Sequence, residues 1–115
     1  MTSFETLLAR AEALGLPLEH NEFVGTVKNP APGPPFLIWL RADTARGADN
    51  VSNILETNGC FELYTEGADP ALEARLETEV LQDVEYRRFQ AAIPSENLTQ
   101  TAYEFTILQK RRIKP

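Results

Sequence analysis

Histidine and cysteine, the residues that most often act as catalytic bases and nucleophiles, occur once each in this chain, at His20 and Cys60. Nucleophilic catalysis needs a hydroxyl or thiol within hydrogen-bond reach of a base. His20 belongs to no recognisable catalytic motif, and no basic residue stands beside Cys60 in sequence to activate its thiol. We therefore expect an ordinary surface or packing histidine, a half-buried structural thiol and no enzymatic activity.

Carboxylates are abundant and provide the other candidates for chemistry. Glu73 and Glu77 lie one helical turn apart, but on the side opposite an apolar stripe, so we predict a solvated helix face. Asp43, Asp49 and Asn50 lack the alternating spacing and the terminal glutamate of a calcium loop. One histidine and one cysteine are too few for a zinc site, and the six glycines form no phosphate-binding motif. The sequence predicts no cofactor and no metal.

The distribution of charge bears on the choice of partner. Seventeen acidic and eleven basic residues give a net charge of −6, which repels a polyanion such as DNA. Residues 86–89 come nearest to the mixture of aromatic and basic side chains that binds bases on a sheet, and we expect no sequence-specific nucleic-acid binding. Basic residues gather at the C-terminus, at Lys110, Arg111, Arg112 and Lys114. Residues 110–115 are predicted to be either a solvated tail or an arm that contacts an acidic surface, including that of a second copy.

Length and composition limit the class of protein. A chain of 115 residues is typical of a single domain, covering residues 1–115. A single cysteine excludes an internal disulfide and favours a reducing compartment. No apolar run is long enough to cross a bilayer, and the first residues lack the features of a secretory signal. We expect no membrane partner.

Two helices are predicted. Apolar residues recur with the helical period over residues 3–14, where Thr2 opens a capping box and Gly15 can adopt the left-handed conformation that ends a helix. The second helix begins with Asp69 as N-cap and Pro70 in the first turn. Its predicted buried stripe consists of Leu72, Leu76 and Val80, with Leu81 beside them.

The strands are predicted from apolar runs and from alternation. The predicted strands cover residues 36–41, 51–57, 60–66, 84–92 and 102–109. Residues 28–35 hold four of the eight prolines and form a connector, and the polar residues 41–50 are predicted to form a loop. Asn58 and Gly59 predict a tight hairpin turn. The fold class is α+β, with a single mostly antiparallel sheet of about five strands and two helices packed on it.

Several segments carry a resemblance to a known group of proteins. They are Phe36–Arg41, Asp49-Asn50, Phe61–Glu66, Asp69-Pro70, Leu72-Glu73, Leu76-Glu77, Tyr86, Ser95–Leu98 and Gln100–Phe105. Together they resemble small virion proteins encoded in the structural modules of tailed phages and prophages, in the head–tail joining and tail-terminator group. The resemblance covers about residues 36–108.

This resemblance implies a subunit that forms a ring, commonly hexameric, at the head-proximal end of a tail tube. There it would stop tube polymerisation and join the tube to the capsid connector, without a cofactor. The implied partners are copies of the chain, tail-tube protein and head-connector protein, in the virion and, during assembly, in the cytoplasm of the bacterial host.

A ring closes through heterologous contacts, in which one surface of each copy meets a different surface of the next. We expect the acidic helix face with Glu73 and Glu77 to meet the basic arm. The loop bearing Arg41 and Arg46 is the candidate to face the lumen or an adjoining ring.

A second hypothesis is a small bacterial adaptor or immunity-type protein that is acidic because its target is basic. The two hypotheses differ in stoichiometry. A ring-forming subunit self-associates as its concentration rises, whereas an adaptor stays monomeric until its partner arrives.

Overall fold

The computed structural model describes residues 2–25, 30–46 and 52–112, which form one five-stranded sheet with two helical segments on one face. The strands are β1 (Leu18–His20), β2 (Phe36–Arg46), β3 (Ser52–Thr65), β4 (Arg87–Ile93) and β5 (Leu98–Arg112). The helices are α1 (Phe4–Glu12) and α2 (Pro70–Arg75), which continues as a π-helical turn over Leu76–Val80. A short 3₁₀ turn, Pro94–Glu96, joins β4 to β5.

The order of strands in the sheet is β1-β2-β3-β5-β4. Three of the four pairings are antiparallel, and only β1 runs parallel to its neighbour β2. The predicted α+β class, with one mostly antiparallel sheet of five strands and two helices, is confirmed. The proline-rich connector lies outside regular structure where it is described, at residues 30–35.

Both helices begin at a side-chain cap, and α1 is followed by a glycine that lets the chain turn away. The N-cap of α1 is Ser3, whose hydroxyl accepts a hydrogen bond from the Thr6 N–H. The predicted N-cap, Thr2, is therefore one residue too early. Gly15 has φ +84°, as predicted for the residue that lets the chain leave the helix. Asp69 caps α2 by accepting from the Leu72 N–H at 3.1 Å, which confirms the predicted start.

The core lies between the helices and one face of the sheet, here called the helix-covered face. Alternate residues of β3 and β5 point into it, as the sequence predicts, with Phe61, Leu63 and Tyr103 fully buried. The ring of Phe4 from α1 stacks on those of Phe61 and Phe105 at centroid distances of 6.2 and 6.1 Å. Burial of these aromatic rings attaches α1 to the centre of the sheet.

The predicted hairpin at Asn58 and Gly59 is wrong, because β3 runs without interruption from Ser52 to Thr65. Both neighbouring strands pair with it across this point. Gly59 is buried in the middle of the strand, beneath the rings of Phe4 and Phe105. A glycine in a strand can mark a close approach as well as a turn, and here it leaves room for two aromatic rings.

Two strands are also longer than the sequence predicts. β2 continues to Arg46, so the predicted loop over residues 41–50 is strand as far as residue 46, and residues 47–50 lie outside the described residues. β5 starts at Leu98 and ends at Arg112, so residues 110–112 of the predicted tail belong to the sheet. Pairing with β3 extends both strands through polar sequence.

The long central strands project beyond their neighbours. β1 pairs only with residues 37–39 of β2, and β4 pairs only with residues 98–104 of β5. Beyond these pairings lies a three-stranded extension, comprising residues 42–46, 52–58 and 106–112. It contributes to an elongated shape of 50 × 32 × 24 Å.

Candidate functional site

The eight residues predicted to form an interface separate into different environments. Arg41 lies on the helix-covered face, in β2. Its guanidinium bonds the carboxylates of Asp43 at 3.0 Å and Glu5 at 3.3 Å, and it stands over the Phe4 ring at 4.8 Å. These contacts attach α1 to the sheet, so the prediction of a projecting loop position is wrong for Arg41.

The predicted solvated face at Glu73 and Glu77 is also wrong. Glu73 is only 5% exposed, and its carboxylate accepts hydrogen bonds from the Asp69 N–H and from the guanidinium of Arg88 in β4. Glu77 accepts from the Tyr103 hydroxyl at 2.9 Å, and its carboxylate lies 3.5 Å from Arg88. Burial, and then the bond to Glu77, raise the pKa of Tyr103. This cluster ties α2 to β4 and β5.

Arg46 and Lys110 lie together on the face of the sheet opposite the helices, here called the open face. The pairing register places Arg46, Ile54 and Lys110 side by side in one row across β2, β3 and β5. In the next row Leu108 lies beside Glu56, which binds Arg46 at 3.2 Å. Ile54 and Leu108 are 45% and 46% exposed. We define the distal patch as Arg46, Ile54, Leu108 and Lys110.

The distal patch joins two residues singled out in the sequence with two that were not. Arg46 and Lys110 were predicted as interface residues from charge alone. Ile54 and Leu108 each look unremarkable in sequence, and only the register shows that they lie between these cations. The backbones of Arg111 and Arg112 continue β5, and Lys114 lies outside the described residues.

A groove of about 690 Å³ crosses the middle of the open face. It passes over the small or polar side chains of Ala42, Asn58 and Thr106, with Cys60 and Glu104 in the adjoining row. Burial raises the pKa of the Cys60 thiol to about 12, and the nearby carboxylates add to this effect. Cys60 is half-buried, as predicted.

We expect Cys60 to react slowly with alkylating reagents. Since a raised pKa keeps the thiol protonated at neutral pH, alkylation by iodoacetamide at pH 8 should be more than ~100-fold slower than for an ordinary thiol of pKa ~8.5. Mass spectrometry of the intact protein measures the rate, and the same reaction in denaturant supplies the control. A native rate equal to the denatured rate would contradict this assignment.

The remaining candidates serve packing. The His20 ring stacks on Trp39 at a centroid distance of 4.0 Å. The aromatic and basic residues at 86–89 divide between faces: Tyr86 packs edge-on against Tyr103, whereas the Arg87 guanidinium lies 5.2 Å from the Phe89 ring. Residues at this stretch therefore do not form one continuous binding surface.

Within residues 2–25, 30–46 and 52–112, no group of three or more potential ligands is placed to hold a metal ion. In the same part of the chain, no helix is long and apolar enough to cross a membrane. Comparison with models of protein families, with curated proteins and with solved structures finds no match for this chain.

Proposed function

We propose that the chain is a non-enzymatic structural subunit that assembles with copies of itself into a ring and acts as a tail-terminator or head–tail joining protein of a tailed phage or prophage. The distal patch carries the proposal of self-assembly. The virion role rests on the resemblance of residues 36–108. Tail-tube and head-connector proteins are then the further partners, and the virion and the bacterial cytoplasm the locations.

The distal patch has the composition of a protein contact. Scattered apolar residues are normal on a protein surface, but Ile54 and Leu108 are diagonal neighbours on adjacent strands. They lie on a regular three-stranded surface, where a second surface can cover both at once. Cations at Arg46 and Lys110 border them. An apolar centre with a charged border is the usual arrangement of an interface.

The rest of the chain offers a surface of opposite charge. Exposed carboxylates follow the helices and the turn after α2, at Glu5, Glu12, Glu79, Asp83 and Glu85. Glu5, Glu79 and Asp83 bind arginines of their own subunit, so Glu12 and Glu85 contribute most of the net negative charge of this surface. In a chain of net charge −6, the basic patch and this acidic surface attract each other, whereas two basic patches repel. Contact between unlike surfaces is heterologous, and its repetition closes a ring when the rotation allows. A hexamer is the ring size that the resemblance implies.

Sedimentation velocity over a range of concentrations tests this assembly. We expect the wild-type chain to form ring-sized oligomers that weaken with salt, because screening reduces attraction between exposed charges. Leu108→Asp places a carboxylate in the apolar centre of the patch and should weaken assembly at least ~10-fold, a change of about 1.4 kcal/mol. Val24→Asp is the matched control, since Val24 is 78% exposed and lies outside the patch.

Two outcomes would contradict the proposal. A wild-type chain that forms nothing larger than a dimer at low salt would overturn the ring, and a chain that stays monomeric would favour the adaptor hypothesis. Equal assembly by the Leu108→Asp and Val24→Asp variants would exclude the distal patch as the contact. Electron microscopy of the purified chain with tail-tube protein tests the virion role, and rings seated at tube ends are the expected result.

A further inference from the structure

The outer edge of β4 is an unprotected edge of the sheet. β4 is the last strand in the sheet order, and within the described residues no other segment pairs with its outer side. Six of its seven residues are exposed. The stretch from Phe89 to Ile93 contains neither a charge nor a proline. Edge strands usually carry such features because free backbone N–H and C=O groups pair readily with another strand.

We propose that β4 pairs antiparallel with β4 of a second copy, which joins the two sheets into one continuous sheet. In an antiparallel pair, facing side chains point to the same side of the sheet, and the backbone N–H and C=O groups of facing residues both point toward the partner strand or both point away from it. A register in which Gln90 faces Gln90 of the second copy meets this condition. That register aligns all seven residues, with Arg87 facing Ile93 and Arg88 facing Ala92 of the second copy.

The charges at the two ends of β4 are complementary in this arrangement. Arg87 and Arg88 open the strand, and Glu96 follows its end in the 3₁₀ turn. Arg87 faces Ile93 of the other copy in this register, and Ile93 directly precedes the turn that carries Glu96. Antiparallel pairing therefore brings each Arg87 toward the turn that bears Glu96 of the other copy.

The same register keeps like charges apart. The two Arg87 residues are separated by six positions along the joined strands, which is about 20 Å. This separation exceeds the screening length of about 8 Å at physiological ionic strength. No cluster of arginines therefore forms at the contact.

Apolar contact on the open face adds to the pairing. Phe89 is 46% exposed and faces Ala91 of the second copy. The diagonal positions are occupied by Phe89 and Ile93 of that copy, within reach of an aromatic side chain. The contact is isologous and closes at two subunits, and it leaves the distal patch free. It therefore does not depend on the ring contact.

Site-specific crosslinking tests the register. Cys60→Ser provides a background without cysteine, into which Gln90→Cys is introduced. A short bifunctional maleimide should convert most of the Gln90→Cys chain to a covalent dimer, with no trimer. Ala92→Cys is the control, because Ala92 points to the same face but lies about 13 Å, or four positions, from its own copy in this register. Equal dimer yields at the two positions, or none at position 90, would overturn the proposed pairing.

A charge exchange tests the proposed contact between Arg87 of one copy and Glu96 of the other. Every variant in this experiment also carries Leu108→Asp, which removes the ring contact. In this background, sedimentation velocity should show a dimer. Arg87→Glu should weaken that dimer at least fivefold, and the double variant Arg87→Glu/Glu96→Arg should restore it. A dimer that is indifferent to Arg87→Glu, or that the exchange does not restore, contradicts the pairing of these two residues. If the Leu108→Asp variant forms no dimer while the wild-type chain still forms rings, this inference is overturned and the proposed ring is not.

Discussion

Replacement of Gly59 by alanine should destabilise the protein by about 3 kcal/mol, near the upper end of the range for overpacked cores. A Cβ atom at this position would lie 2.5 Å from the Phe105 ring and 2.9 Å from the Phe4 ring. Such distances are impossible without movement of the rings. Both rings stack within the aromatic cluster that attaches α1 to the sheet, so neither can shift without loss of contact elsewhere.

Urea denaturation followed by circular dichroism measures this effect. Gly33→Ala is the matched control, because a Cβ at Gly33 would meet no atom within 4 Å, and we expect a change below about 0.5 kcal/mol there. Adding Phe105→Leu to Gly59→Ala removes the nearest ring carbons, so the double variant should be less destabilised than the sum of the single variants. A Gly59→Ala variant as stable as Gly33→Ala would show that the rings can move aside at little cost.

Gly59 also shows where prediction from sequence fails. The pair Asn58-Gly59 is a strong local signal for a turn, and nothing within several residues argues against it. The reason for the glycine is Phe105, which lies 46 positions later in the chain. Local patterns predict the conformation that a segment favours by itself. Tertiary packing decides whether a glycine forms a turn or lets a side chain lie against the backbone of a strand.

Elements whose cause is local were predicted well. The cap at Asp69, the left-handed Gly15 and the alternation of Phe61, Leu63 and Thr65 all depend on neighbouring residues, and all are confirmed. β1 was missed because three residues are too few to show a pattern. The predicted order of helix, three strands, helix and two strands matches the structure. Two of the first three strands were wrongly assigned, because β1 was not predicted and β3 was divided in two.

The candidate interface depends on register in the same way. Charge alone singled out Arg46 and Lys110, which are 64 positions apart. A strand slipped by one residue would turn its side chains to the opposite face, so the sequence alone does not bring these cations to Ile54. The alternation of apolar residues predicts on which face of the sheet each side chain lies. Which residues of neighbouring strands lie side by side depends on how the strands pair.

A second large loss of stability is expected for Arg88→Ala. Arg88 is the cation that faces Glu73, whose side chain is only 7% exposed. Its removal leaves a buried carboxylate with one backbone hydrogen bond, from the Asp69 N–H, and no opposite charge. Breaking a buried ion pair in this way costs about 3–5 kcal/mol. Because 39% of the Arg88 side chain is exposed, water partly replaces the guanidinium, and we expect about 2–3 kcal/mol.

Arg75→Ala is the matched control for this experiment. It removes the same type of cation from an ion pair with a glutamate of the same helical segment, but its partner Glu79 is 49% exposed, and exposed pairs contribute little to stability. Denaturant unfolding compares the two variants. Hydrogen exchange should localise the Arg88→Ala effect to amides of α2, since Arg88 holds that helix through Glu73 and Glu77.

The double variant Glu73→Gln/Arg88→Met separates the charge from the packing. It retains the size of Glu73 and an unbranched apolar chain in place of the Arg88 stem but leaves no buried charge at the pair. It should therefore recover at least 1 kcal/mol relative to the sum of Glu73→Gln and Arg88→Met measured alone, as close charge partners do in double-mutant cycles. Additive losses would contradict a direct pair. A loss for Arg88→Ala no greater than for Arg75→Ala would mean that packing of Leu76 and Val80, both fully buried, holds α2 on the sheet without the ion pair.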